Sequence, residues 1–142
     1  MIRDFNEYLN DGTITKQSPD EARAKHLEKE AKQTQQAIKE ITQAIGITNT
    51  NANTLIKTAY DAIMARTRAD MIREGLNAAG RGAHEAELAY LRKQGVREQD
   101  IQFLNQLRYF RNGIMYYGKN FDKEYAQKVI NFTNKYLQEN PS

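Results

Sequence analysis

Proline occurs twice, at Pro19 and Pro141, and nowhere in the long stretch between them. A proline in a helix interior costs about 3 kcal/mol, because it lacks an N–H and its ring collides with the preceding turn. Residues 20–140 are therefore free to form long uninterrupted helices. Hydrophobic periodicity says that they do, because apolar residues recur every three to four positions and strand-like alternation is lacking. The expected fold class is all-α, an up-and-down bundle of four to five helices with mostly short connections and antiparallel neighbours. With 142 residues there is chain enough for one core.

Composition removes several alternatives. Hydrophobic residues at 39% and charged residues at 27% fit neither a membrane protein nor a disordered tail. There is no cysteine, which rules out disulfides and thiolate metal sites. No stretch approaches the roughly 18 apolar residues of a membrane span. Met1–Asn10 carries Arg3, Asp4 and Glu7 without an apolar run, so it does not read as a signal peptide. The expected compartment is the cytoplasm. The net charge of +3 permits a phosphate-rich partner without demanding one.

Residues 1–17 read as an N-terminal arm that Tyr8 and Leu9 can pack onto the body, and residues 18–139 read as the bundle. Ser18, Pro19 and Glu21 form an N-cap, a first-turn proline and a capping box. The helix they open carries Leu27, Ala31, Ile38, Ile41 and Ile45 and ends at Gly46. Asn53 is the expected cap of a second helix that runs to about Ala79. Gly80 and Gly82 break it, and a short helix from Ala83 to Gln94 follows. The fourth helix spans Glu98 to Tyr117, where Phe103, Leu107, Phe110, Ile114 and Tyr117 form a heptad-like seam expected to be the core of the bundle. Gly118 ends it, and Asp122 caps a fifth helix.

The segment from Arg108 to Gly118 is unusual for a core helix. At about 100° per residue, Arg108, Arg111, Asn112 and Tyr116 share roughly 140° of one surface. Clustered guanidiniums repel one another, and each is a planar fork that matches phosphate oxygens. Gly113 costs about 1 kcal/mol against alanine in mid-helix and lets another group come close. The plain alternative is that these arginines pair with acids such as Glu28, Asp61 or Glu124.

The run Arg111-Asn112-x-x-x-Tyr116-x-Gly118 at the end of the penultimate helix resembles the signature of the HEPN superfamily. There an Arg is followed by a polar residue and then by a His at the fifth position after the Arg. The order of elements is also similar: an opening helix with Pro19, Asp20, Ala24, Leu27 and Ala31, a second helix with Tyr60-Asp61-Ala62, and a turn with Gly80, Gly82 and His84. The resemblance covers most of residues 17–137. It implies a dimeric helical bundle whose Arg-bearing helices face each other, and for many members a metal-independent endoribonuclease. Such proteins serve as toxins beside a small nucleotidyltransferase, in phage defence and in RNA processing. In that chemistry the Arg holds the scissile phosphate and the His exchanges a proton with the ribose hydroxyl. By this resemblance Arg111, Asn112 and Tyr116 are the candidate catalytic set, and Arg108, Arg111 and His84 the candidate phosphate or RNA contacts. No cofactor and no metal are implied.

Tyr116 stands where the family has His. A free tyrosine titrates near pH 10, so about one in a thousand is ionised at neutral pH. A weak or degenerate nuclease that still binds phosphate or RNA is the expectation. The toxin branch carries a modifiable tyrosine two positions after the His, and here that position is Gly118. His84 lies at the start of the short helix, where it can take over as the base or merely cap locally. His26 reads as a surface residue. Arg66, Arg68 and Arg73 read as a solvated strip paired with Asp70 and Glu74. Tyr109, Tyr116 and Tyr117 are more aromatic surface than one seam can cover, which is the motive for expecting a homodimer. The competing reading is a non-catalytic helical module that binds a protein partner or nucleotide.

Overall fold

In the computed structural model, which describes residues 2–141 and leaves the Tyr116 side chain undescribed, the chain is an all-α bundle with one small two-stranded sheet. The elements are α1 (Phe5–Asn10), β1 (Ile14–Lys16), α2 (Glu21–Ala44), α3 (Ala52–Arg73), β2 (Leu76–Ala78), α4 (Ala83–Lys93), α5 (Glu98–Tyr117) and α6 (Lys123–Glu139). No helix among the described residues is long and apolar enough to cross a membrane.

The centre of the bundle is α3, which packs against α2, α4, α5 and α6. Its buried residues wrap nearly all the way round, from Leu55, Ile56, Ala59 and Tyr60 to Ile63, Met64, Met71 and Ile72. A helix apolar on most sides belongs inside, while α2 and α6, apolar on one stripe, lie outside it. The stretch read from sequence as an arm is built into this core. Phe5 and Tyr8 of α1 are buried, as are Ile2 and Ile14, and the Phe5 ring meets Tyr90 of α4 at 6.3 Å.

The second helix ends earlier than its periodicity suggests, and the remainder is a strand. Gly75, at φ +76°, closes α3, and β2 runs antiparallel to β1 with Ile14 opposite Ala78 and Lys16 opposite Leu76. Gly75 is required twice over, since its backbone is left-handed and a Cβ there would strike the Gln17 carbonyl. The Gln17 amide donates to the Gly75 carbonyl at 2.8 Å and the Asp20 amide to the Ile72 carbonyl at 3.3 Å. These bonds hold residues 17–20 extended along the end of α3. The helix therefore starts at Glu21 with Asp20 as its cap, accepting from the Arg23 amide at 3.0 Å, and not with Ser18.

Asn51, not Asn53, occupies the N-cap position of α3. Asn53 holds the α5–α6 connection instead. Its amide donates to the Lys119 carbonyl at 2.8 Å and its side-chain oxygen accepts from the Phe121 amide at 2.9 Å. Asp122 caps α6 as expected, accepting from the Tyr125 amide at 2.9 Å.

The bounds of α5 match the expectation, but its deepest face does not. Ile101, Leu104 and Leu107 are fully buried, Phe103, Phe110 and Ile114 are only half-buried, and Tyr117 is 79% exposed. Phe103 faces Phe132 of α6 at 4.3 Å, and Phe110 meets Phe121 at 4.8 Å. The expected seam is thus the flank against α6, and the inner stripe lies beside it. Leu104→Ala is expected to cost about 2–5 kcal/mol through lost burial and a cavity. Tyr117→Ala should cost less than about 0.5 kcal/mol. Paired urea denaturation midpoints measure both, and equal losses would contradict this assignment of faces.

Candidate functional site

Position along α5 explains the site. Ile101, Leu104, Arg108 and Arg111 are spaced by three, four and three, so at about 100° per residue they fall on one stripe. The stripe that is apolar in the first half of the helix becomes cationic in the second half without changing direction. Arg108 is consequently only 13% exposed and Arg111 26%. Placing guanidiniums on a core-facing stripe is costly unless they are paired or serve a ligand.

A second stripe, on α3, lies against the first. Tyr60, Met64 and Arg68 are spaced by four, so Arg68 continues the stripe of Tyr60 and Met64, with its side chain 40% exposed. The three arginines of α3 are in fact distributed over separate tasks. Arg73 bonds Glu21 and Glu28, each at 2.8 Å. Arg66 donates to the Leu137 carbonyl at 3.3 Å. Arg68 crosses to α4, where its Nε and one Nη bond the two oxygens of Glu87 at 2.6 and 3.1 Å. Glu87 is buried at 4% exposure. Burial pushes its carboxyl up, but hydrogen bonds from His84 and Arg68 outweigh that and hold it below the ordinary carboxylate value. His84, half-exposed at the first turn of α4, places Nδ1 3.4 Å from Glu87 and 3.5 Å from an Arg68 Nη.

The two α5 arginines are held loosely. Arg111 donates from Nε to Asp61 at 3.2 Å, and Asp61 is half-exposed. This is one of the acid pairings that the plain alternative expects. Arg108 donates from Nε to the Asn105 side chain at 3.2 Å, while its closest approach to Glu85 is 3.9 Å, too long for a hydrogen bond. Its guanidinium also lies over the Tyr109 ring at 4.4 Å. Each guanidinium carries five N–H donors. Arg108 and Arg111 each commit one in these bonds, so a surplus remains for an acceptor-rich partner.

Tyr60 lies in the middle of this group. It is 2% exposed, and its hydroxyl has no hydrogen-bond partner among the described residues. Burial and the nearby Glu87 raise it to about 12, against the pull of Arg68, Arg108 and Arg111. One phenol thus senses three guanidiniums from two helices and a carboxylate from a third.

Of the residues singled out from sequence, Arg108, Arg111 and His84 converge on the junction of α3, α4 and α5. Asn112 is half-buried on the adjoining turn of α5. Tyr116 belongs to α5, and its side chain lies outside the described residues. Glu124 is not among the arginine partners, and Glu28 pairs with Arg73 instead. Gly113 accommodates the chain's own Lys119, because a Cβ there would lie 3.0 Å from the Lys119 Cγ. Gly118 sits at φ +65° at the end of α5, a conformation that tyrosine would adopt only with strain. The sequence reading missed Tyr60, Arg68 and Glu87 as one group, although the spacing of Tyr60, Met64 and Arg68 was a usable signal.

A cleft of about 480 Å³ lies on another face, lined by Arg66, Asp70, Arg73, Tyr90 and Tyr136 among others. Its cations are already engaged with acids or main chain, so it offers less to an anion than the junction does. Among the described residues no group of His, Asp and Glu is arranged to hold a metal ion. Comparison with protein-family models, curated proteins and solved structures yields no match.

Proposed function

We propose that the chain binds RNA through its phosphates at the α3–α4–α5 junction, as a HEPN-like dimer with weak or lost metal-independent endoribonuclease activity. The observation that carries this reading is the pair Arg108 and Arg111, placed on a core-facing stripe yet committing only one hydrogen-bond donor each among the described residues. A phosphodiester supplies two acceptor oxygens and one negative charge, which is what loosely held guanidinium forks accommodate. His84 stands beside them as a further donor. The family resemblance supports the same placement from the motif side, and its Arg is Arg111.

The degenerate character rests on Tyr116 in the place of the family's base. In this reading Arg111 and Arg108 hold the phosphate, Asn112 supports the geometry and Tyr116 contributes at most a hydrogen bond. Dimerisation rests on the second half of α5, where Tyr109, Met115 and Tyr117 are exposed. The same three residues favour the second reading, a module that docks a protein partner, with a small nucleotidyltransferase as the partner that the resemblance implies.

The test is binding and cleavage of a labelled oligoribonucleotide in EDTA by the wild type and Arg111→Ala, with sedimentation of the same samples to read the dimer. Wild-type binding that falls at least about tenfold in Arg111→Ala is expected, since a hydrogen bond to a charged group contributes about 1.5–3 kcal/mol. Equal binding by the two proteins overturns the RNA reading, and a monomer at high micromolar concentration overturns the dimer.

A further inference from the structure

Buried polar groups in folded proteins nearly always have hydrogen-bond partners, and an exception calls for a reason. Here the Tyr60 hydroxyl is the buried side-chain polar atom without a partner among the described residues. A phenylalanine would fill the same space without the cost of a desolvated hydroxyl. The position is also not remote from polar chemistry. Asp61, the next residue, receives the hydrogen bond of Arg111. Arg68, two turns along the same face of α3, is bonded to Glu87. Glu85, the residue after His84 on α4, is the acid nearest Arg108. The hydroxyl is buried, without a partner among the described residues, and within electrostatic reach of Arg68, Arg108 and Arg111.

We infer that Tyr60 is a ligand-binding residue, whose hydroxyl donates a hydrogen bond to a nonbridging oxygen of the phosphate group held by Arg108 and Arg111. This inference rests on the phosphate-binding reading above and adds to it a neutral donor from a different helix. The phenol stays protonated at any physiological pH, since its environment raises it further above neutrality. It can therefore donate to an anion but not repel it.

Reaching the hydroxyl requires the surrounding arginines to turn. Their restraints allow it, because Arg111 is held by one bond to a half-exposed acid and Arg108 by one bond to an amide. Arg68 is held twice by a buried acid and stays. The ligand then replaces the weaker partners, and the phenol gains the acceptor that the free chain does not provide. A phosphate bound this way contacts α3 as well as α5, which fixes its orientation better than two cations on one helix.

The experiment compares wild type, Tyr60→Phe and Arg111→Ala for binding of a short labelled oligoribonucleotide, together with thermal melting of each. Tyr60→Phe should bind about tenfold more weakly while its Tm is unchanged or higher, because only an unpartnered hydroxyl has been removed. Undiminished binding by Tyr60→Phe, alongside weakened binding by Arg111→Ala, overturns the role of Tyr60 and leaves the RNA reading standing. A lowered Tm in Tyr60→Phe also overturns it, since that shows a structural bond at the hydroxyl. If the wild type does not bind at all, the RNA reading fails and this inference fails with it.

Discussion

Replacing Arg68 with alanine is expected to destabilise the protein by about 2–3 kcal/mol, because it strands the buried Glu87 carboxylate, although the Arg68 side chain itself is 40% exposed. The reason lies in what is left behind. Glu87 is 4% exposed and takes two hydrogen bonds from Arg68 at 2.6 and 3.1 Å. Without them a carboxylate between α3 and α4 keeps only His84, at 3.4 Å. Removing both charges should be far milder, since a buried pair replaced by apolar residues of similar volume is often neutral. Arg68→Met with Glu87→Leu is therefore expected to recover most of the loss. Urea denaturation of the two variants and the wild type measures the difference. A single variant within about 1 kcal/mol of wild type would show that Glu87 reaches water or another partner.

The dependence on pH follows from the direction of the Glu87 shift. In the wild type its carboxyl titrates below the ordinary value of 4.5. A depressed carboxyl adds stability that is fully present above the unfolded value and is lost as pH falls through the folded one. In Arg68→Ala the His84 hydrogen bond remains but the hydrogen bond and charge of Arg68 are gone, so burial weighs more and the carboxyl rises from its depressed value. The gap between variant and wild type should therefore be widest near pH 7 and narrow below about pH 4.

The legibility of this chain varied with the distance over which its interactions act. The bounds of α5 and α4, the cap at Asp122 and the closing glycines 46 and 118 are local features, set within a turn or two, and could be read from adjacent residues. The course of residues 1–17 could not, because β1 exists only through β2, some sixty residues away, and Gly75 reads equally well as an interruption or an end. The choice between Ser18 and Asp20 as a cap was decided by contacts to Ile72 and Gly75, which no local pattern encodes. Asn53 looked like a cap because asparagine before an apolar run usually is one, yet its partners are Lys119 and Phe121. The candidate site divides in the same way. Arg108 and Arg111 stood out because a helix surface rich in donors is visible in one segment. Glu87 carries no local signal of burial, and only the packing of α4 on α3 makes it the counter-charge of Arg68. The heptad seam is a true periodicity, but of its residues Leu107 alone is fully buried in the core. Two adjacent stripes of α5 are apolar, and the aromatic one, which is larger, faces α6 at the edge, while the aliphatic one continues into the arginines.

That continuation gives the second large effect. The double variant Arg108→Ala/Arg111→Ala is expected to lose at least about 100-fold in affinity for an oligoribonucleotide, since two hydrogen-bonded charge contacts contribute about 3 kcal/mol or more together. The loss should depend on salt. Each phosphate neutralised on a single strand contributes about 0.7 to the slope of log affinity against log salt. Removing two such contacts should flatten the slope by about 1.4, whereas lost shape or folding would leave it unchanged. Folding is not expected to suffer much, because Asp61 remains half-exposed and Glu85 was never closer than 3.9 Å. Ion pairs open to solvent on the acid's side contribute about 1 kcal/mol or less, and the further loss is the packing of the Arg108 stem, which is 13% exposed. Binding isotherms at several salt concentrations, with melting curves of the same preparations, separate the possibilities. A double variant that melts several degrees lower and binds RNA with an unaltered slope would make these arginines structural ion pairs. The α3–α4–α5 junction would then be a rigid polar seam in a helical scaffold, and the exposed aromatic side of α5 would be the surface on which the chain acts.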